Sequence, residues 1–256
     1  MLRADAETLL NLKELQNNWD RLAGEDALWA VLSDDQKRGG KWDVEEFFRT
    51  GQTEIEGLLL KMEHLSLPFR RDKALDFGCG VGRLSQALAS HFKEVVGVDI
   101  APNMIQLANR FNQHGSACRF VLNQQPELRQ FESAQFDVIY TNIVLQHMQP
   151  RFAKRYIKEF LRLLKVGGRV IFQIPAHPQT AGIRWRIVKT AKRVLPVSIA
   201  RWFRKNPDEP RMEIYGVDLA AIVRLVESRG GQVDAIERNR WAGPGWCSYT
   251  YYASKC

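Results

Sequence analysis

Cysteine is scarce and scattered in this 256-residue chain. Its four residues, Cys79, Cys118, Cys247 and Cys256, form no C-x-x-C or C-x-x-H pair. Neither a disulfide framework nor a zinc site is indicated, and no metal is expected. Long apolar runs are absent too, since no stretch approaches the ~20 residues of a membrane-spanning helix. The opening residues, Met1-Leu2-Arg3-Ala4-Asp5-Ala6-Glu7, place acids where a secretory leader has a basic start and an apolar run. A cytoplasmic protein is the expectation. Material for a core is plentiful: hydrophobic residues make up 45% of the chain, enough for one fully packed domain without splitting.

What the chain does carry is a glycine turn. Ala74-Leu75-Asp76-Phe77-Gly78-Cys79-Gly80-Val81-Gly82-Arg83 is an apolar run, an acid, three glycines at alternate positions and a helix-like continuation. It reads as a strand turning sharply into a helix, with side chains removed so that a ligand can approach the backbone. The next apolar run, Glu94 to Asp99, ends on a second acid. In a doubly wound sheet that acid reaches the edge beside the glycine turn and can take ribose hydroxyls. A dinucleotide fingerprint, G-x-G-x-x-G, has a third glycine where this chain has Arg83. Asp76 would also repel a pyrophosphate, whereas it suits the ammonium of an amino-acid moiety. A nicotinamide-dependent dehydrogenase is therefore the lesser reading.

The surrounding order is strand and helix in alternation. Pro102 opens a helix after Asp99, Cys118–Asn123 reads as a third strand and Gln135–Asn142 as a fourth. A helix from about Phe152 to Leu164 stops at Lys165-Val166-Gly167-Gly168, and Arg169–Pro175 is a fifth strand. Such spacing implies βαβ crossovers and a parallel sheet. A helix over Val217–Ser228 precedes two strands, Gln232–Arg240 and Ser248–Ser254, joined by a loop with Trp241 and Trp246. Over residues 70–175 the D-x-G-x-G-x-G, Val-Asp, Phe-Asp-Val-Ile and Leu-x-x-Gly-Gly elements resemble class I S-adenosylmethionine-dependent methyltransferases. The resemblance implies an α/β fold: a doubly wound, mostly parallel, seven-stranded Rossmann-like sheet ending in an antiparallel hairpin. It implies S-adenosylmethionine as cofactor, with Asp76, Gly78, Cys79, Gly80 and Gly82 at the methionyl part and Asp99 at the ribose. Ile100 would pack on the adenine, with Asn123 and Gln124 at its edge in place of the family's frequent acid. Asn142, after the fourth strand, completes the set. No D/N-P-P-Y/F element follows that strand, which argues against a DNA or protein-glutamine acceptor.

Two regions lie outside the cofactor-binding domain of residues 69–256 or are inserted in it. Residues 1–68 read as a helical lid, with a helix over Thr8–Leu22 and another opening at Trp42-Asp43, where Asp43 and Glu46 suit a capping box. Phe48 and Gly51 there are candidates for cofactor contact or for helix packing. Residues 176–213 read as a helical insertion. Between Ile183 and Lys205 it carries eight basic residues and no acid, matching the net charge of +8 for the whole chain. Such a segment suits an anionic membrane surface, a phosphorylated acceptor or a solvated cap, and nucleic acid less well. His147 is the candidate general base, with His177 as an alternative, and Glu213 and Tyr215 could orient an acceptor. The expected activity is methyl transfer to an oxygen or nitrogen of a small-molecule, glycan or lipid-linked acceptor. The rival from another class is a catalytically silent cofactor-binding scaffold at a membrane.

Overall fold

The computed structural model describes residues 2–179 and 212–256. The expected basic helix over 183–205, and the membrane or phosphate contact assigned to it, lie outside the described residues.

The chain begins with α1 (Leu2–Val31), kinked at Asp26, and α2 (Val44–His64). The sheet then builds through β1 (Lys73–Phe77), α3 (Arg83–Ala89), β2 (Glu94–Asp99), α4 (Pro102–Phe111) and β3 (Cys118–Leu122). It continues through β4 (Phe136–Thr141), α5 (Pro150–Leu163), β5 (Leu164–Pro178), α6 (Leu219–Glu227), β6 (Gly231–Asn239) and β7 (Trp246–Lys255). Strand order is β3-β2-β1-β4-β5-β7-β6. The first five strands are parallel, and β7 runs antiparallel between β5 and β6. The seven-stranded, terminally antiparallel α/β sheet expected from the sequence is the one present. Its order reverses between β1 and β4, and ligands of open α/β sheets bind outside the carboxyl ends of the strands at such a switch point.

Alternation along β1 sets the two faces. Leu75 and Phe77 enter the core under α5 and α6, whereas Ala74 enters the one under α2 and α3. Asp76 shares the parity of Ala74 and therefore faces α3. Gly97 stands opposite Asp76 in the β1–β2 register. A side chain at Gly97 would lie 2.7 Å from the Ser85 hydroxyl, so its absence leaves Ser85 room to reach Asp76.

Several boundaries differ from expectation, each for a local reason. Helix α5 closes at Leu163, because Leu164 is already extended and buried in the core. Gly167-Gly168 is thus an irregularity within β5, with Gly167 at φ +76°, and not a helix stop. Strand β5 runs on to Pro178, pairing with Trp246, so the inserted segment leaves the sheet later than residue 176. The capping box is only half formed. Asp43 accepts from the Glu46 N–H at 2.8 Å, but the Glu46 carboxylate is held by Lys37. No helix among the described residues is long and apolar enough to cross a membrane.

Helix α2 lies directly on α3. A Cβ at Gly51 would stand 2.5 Å from the Arg83 carbonyl oxygen, so glycine is what lets the two backbones approach. Phe48 packs edge-on against Phe47 and Phe111, with centroids 5.4 and 5.5 Å away. Both residues are used in packing, and neither lines the cleft described below. Gly51→Ala is expected to destabilise the fold by about 1–3 kcal/mol through overpacking. Urea unfolding of the variant beside the parent checks it, and an unchanged midpoint would contradict the contact.

Candidate active site

One cleft opens at the carboxyl ends of the parallel strands. Phe77, Gly78, Cys79 and Gly80 come from the end of β1, and Val98, Asp99 and Ile100 from β2. Asn123 follows β3, and Asn142, Ile143, Val144, His147 and Met148 follow β4. Helix α1 forms the facing wall with Leu12, Leu15, Trp19, Ala30 and Val31, and Arg83 closes the side next to α2.

The glycine turn is held by β2. Gly78 and Cys79 both donate their N–H groups to the Val98 carbonyl, at 2.7 and 3.0 Å. Gly80 donates to Asp99 Oδ2 at 2.9 Å, and Ala101 donates to Asp99 Oδ1 at 2.9 Å. All three glycines have positive φ, +77° at Gly78, +52° at Gly80 and +88° at Gly82, which side chains rarely adopt. Each also makes room for a neighbour: a Cβ would strike Val144 at Gly78, Val31 at Gly80 and Phe120 at Gly82. Gly82, the first residue before α3, does not line the cleft. Its glycine requirement comes from Phe120, which corrects the expectation of a cofactor contact there.

Asp99 is partly exposed, and the backbone N–H groups of Gly80, Ala101 and Ile100 all pull on its carboxylate, which leaves acceptor capacity for a ribose hydroxyl. Burial pushes its carboxyl above the ordinary range, against the pull of the Ala101 and Gly80 N–H groups. Asp76 behaves otherwise. It is 1% exposed and absent from the cleft wall, and its Oδ2 accepts from Ser85 Oγ at 2.6 Å. Burial pushes it up to about 7, partly offset by the Ser85 hydroxyl and by Arg83. The expected ammonium contact at Asp76 is corrected, because strand parity turns the carboxylate towards α3.

The adenine-edge amides are corrected as well. Asn123 lines the cleft, but its Nδ2 donates to the Gln125 carbonyl at 3.0 Å and its Oδ1 accepts from Gln130 at 3.3 Å. That side chain holds its own loop. Gln124 is exposed and outside the cleft. Ile100 and Cys79 both line the cleft. The Cys79 thiol is driven further above its usual range by burial and stays protonated, with no nucleophilic role.

His147 lines the cleft, yet both ring nitrogens are engaged. Nδ1 lies 2.8 Å from the Glu213 carbonyl oxygen, so it is the protonated nitrogen and donates. Nε2, the remaining acceptor, takes the Gln146 amide N–H at 3.1 Å. Burial lowers the imidazole to about 4, and Trp19 packs edge-on at 5.2 Å. A ring so placed is a neutral clamp on the returning chain, not a strong base. His177 is exposed and outside the cleft, and the Tyr215 hydroxyl donates to the Glu213 carboxylate. Among the described residues no cluster of His, Cys, Asp and Glu could hold a metal.

Sequence reasoning missed Glu54. Its Oε2 accepts from Arg83 Nη2 at 2.8 Å, and its Oε1 accepts from Tyr140 Oη at 2.9 Å and Asn142 Nδ2 at 2.8 Å. The signal was available. Phe47, Gly51, Leu58 and Met62 mark the buried face of α2, and Glu54 falls on it at helical spacing. A carboxylate on an apolar face needs a buried cation.

The cleft residues fit a nucleoside: the Asp99 carboxylate stands beside the Gly78–Gly80 turn where β1 and β2 end. The methyltransferase-domain family pattern matches residues 75–172. The chain is 31% identical over 121 residues to the ubiquinone biosynthesis O-methyltransferase of Coxiella burnetii, covering 46% of this chain and 50% of that protein. It is 37% identical over 100 residues to the malonyl-[acyl-carrier protein] O-methyltransferase of Herminiimonas arsenicoxydans, covering 38% and 35%. The chain thus spans about half the length, or less, of these relatives. Among solved structures it resembles the magnesium protoporphyrin IX methyltransferase of Synechocystis with bound S-adenosylhomocysteine. That match has a TM-score of 0.60 and 18% identity, covering 95% of this chain and 99% of the other, and it establishes the shared fold.

His147 should mark the acid limb of stability. Its folded value of about 4 lies below the unfolded ~6.5. Its contribution is complete above pH ~6.5 and is lost as pH falls towards 4. Asp76, raised when folded, works in the opposite sense, so the two are separated by substitution. His147→Gln is expected to flatten the drop in melting temperature between pH 7 and pH 5. The same slope in both proteins would refute the buried neutral ring.

Proposed function

We propose that this chain, whose residues 75–172 match the methyltransferase-domain family pattern, is a class I, S-adenosylmethionine-dependent enzyme that methylates an oxygen of a small acceptor with a large apolar part. The observation that carries the reading is the pairing of the Asp99 carboxylate with the Gly78–Gly80 turn at the switch point of the sheet. Both relatives are O-methyltransferases, which supports oxygen over nitrogen. The apolar acceptor follows from the wall opposite the turn, made by Leu12, Leu15, Trp19 and Met148.

When bound, the sulfonium supplies a methyl group already activated for in-line displacement. What the chain itself has to do is modest. Asp99 and the turn fix the nucleoside, while α1 and the segment after β4 exclude water and hold the acceptor oxygen ~3 Å from the methyl carbon. With the Nε2 lone pair of His147 taken by Gln146, no strong base faces the acceptor from that position. We therefore read the acceptor as one that ionises by itself, a phenol, an enol or a carboxylic acid. A dehydrogenase is disfavoured by Arg83, which stands at the third-glycine position with its guanidinium tied to α2.

The test is transfer of label from methyl-labelled S-adenosylmethionine to apolar phenols and carboxylic acids, with aliphatic alcohols as controls. Label should enter the acidic acceptors and not the alcohols. Asp99→Ala should raise KM for the methyl donor roughly tenfold, the worth of one or two hydrogen bonds. Retained donor binding with no acceptor labelled would favour the silent scaffold. An unchanged KM would remove Asp99 from the ribose.

A further inference from the structure

We propose that Ile143 is a specificity-determining residue: its side chain is the apolar surface on which the acceptor rests beside the methylated oxygen, and its bulk limits the acceptor's width there. The inference rests on the oxygen-methylation reading and adds to it the residue that selects acceptor shape.

The backbone at Ile143 has φ +59°, in the left-handed region where a Cβ is crowded and a β-branched side chain is an outlier. Among the described residues, Ser66 and Ala134 are the other non-glycines there, and both are small and exposed. Ile143 is bulky, half-buried and part of the cleft wall. Its surroundings hold it in place. The Ile143 N–H donates to Gln173 Oε1 at 3.2 Å, and Gln173 is 1% exposed, with its Nε2 donating to Gln146 and Ser248. On one side Asn142 donates to Glu54 at 2.8 Å, and on the other Val144 fills the space that a side chain would take at Gly78. Strain of this kind persists only where the structure over-determines it, and such residues gather at ligand sites.

Strand parity shows what the left-handed turn achieves. Ile139 lies in the core under α5 and α6, and an extended chain would return residue 143 to that same face. Instead Val144 packs against that core, and Ile143 joins none of the three apolar clusters formed by the described residues. Glycine or asparagine would make the turn at less cost. What isoleucine adds is apolar surface in the cleft, and no described core uses it.

The sheet order indicates which part of a ligand meets that surface. Strands β2 and β4 flank β1 on opposite sides, so Asp99 at the end of β2 and Ile143 beyond β4 stand on opposite sides of the glycine turn. A nucleoside with its ribose on Asp99 leaves the β4 side to the sulfonium end and the acceptor. Leu12, Leu15 and Trp19 of α1 form the facing wall, so an apolar acceptor lies between α1 and Ile143. A β-branched side chain is stiff at χ1, and on a clamped backbone it does not yield to a wide acceptor.

The test uses two pairs of isomers with labelled S-adenosylmethionine: 2- and 4-isopropylphenol, and 2- and 4-isopropylbenzoic acid. Each 2-isomer is wide beside the reacting oxygen and each 4-isomer is narrow there, so the parent should favour the 4-isomers. Ile143→Ala and Ile143→Gly should each raise the ratio of kcat/KM for the 2-isomer over the 4-isomer roughly tenfold, the scale of a methylene in an apolar pocket. Ile143→Val keeps the branch and should stay near the parent's ratio. S-adenosylhomocysteine, titrated by calorimetry, should bind the parent and all three variants alike. A ratio kept at the parent's value in the alanine and glycine variants would overturn the proposal, and weaker S-adenosylhomocysteine binding beside it would put the side chain under the cofactor instead. Urea unfolding checks the strain without turnover: at this φ the glycine variant should have the higher midpoint of the two truncations, and the reverse order would remove the premise. A parent that binds S-adenosylhomocysteine but labels none of the four acceptors would instead overturn the acceptor reading, and this inference with it.

Discussion

The buried ion pair between Glu54 of α2 and Arg83 of α3 is the contact on which the site depends. Their side chains are 12% and 4% exposed, so neither charge has much recourse to water. Removing one partner of such a pair costs about 3–5 kcal/mol, because the other is left buried and alone. Arg83 follows directly on the glycine turn, and Glu54 also holds Tyr140 and Asn142 at the end of β4. One carboxylate therefore joins α2 to two of the strand ends that make the cleft. The approach that permits it rests on Gly51, where any side chain would meet the Arg83 backbone. Helix α2 gives no residue to the cleft wall, but through Glu54 it braces Arg83 and Asn142, which do line it.

A second set of hydrogen bonds closes the other side. Gln173 on β5 donates from Nε2 to Gln146 Oε1 at 3.0 Å and to Ser248 Oγ at 2.6 Å, and the Gln146 amide meets His147. The chain that leads into α6 is caught at three points. Glu213 accepts from His147, Tyr215 N–H donates to the Gln146 carbonyl at 2.7 Å, and Val217 N–H donates to the Pro175 carbonyl at 2.8 Å. Met212 accepts from Ser33 Oγ at 3.4 Å, which links the same strap to the residues after α1. His147 belongs to this fastening, and that is why a histidine in the cleft does not make a base.

Much of this was legible in the sequence, and the reasons differ by residue. The alternation of strands and helices along the chain followed from apolar runs at strand and helix spacing, and Asp99 stood out from its place at the end of the second run. Asp76 was misassigned although β1 contains the answer, since it has the parity of Ala74 and not of Phe77. Gly82 and Gly51 look like ligand-approach glycines but serve Phe120 and the Arg83 backbone, contacts between elements far apart in the chain. Asn123 could not be read correctly without knowing that Gln125 and Gln130 use its amide. Glu54 is the reverse case: a carboxylate at helical spacing among the buried residues of α2 is marked by its position alone.

The central claim is that the cleft at the β1–β4 switch point takes an adenosine thioether with its ribose on Asp99, and not a dinucleotide. Titrating the protein with S-adenosylhomocysteine and, under the same conditions, with NAD tests it most directly. Saturable one-to-one binding of the first and no heat from the second is the predicted result. Binding of NAD alone would contradict the account, and the Arg83 position would then have to accommodate a pyrophosphate.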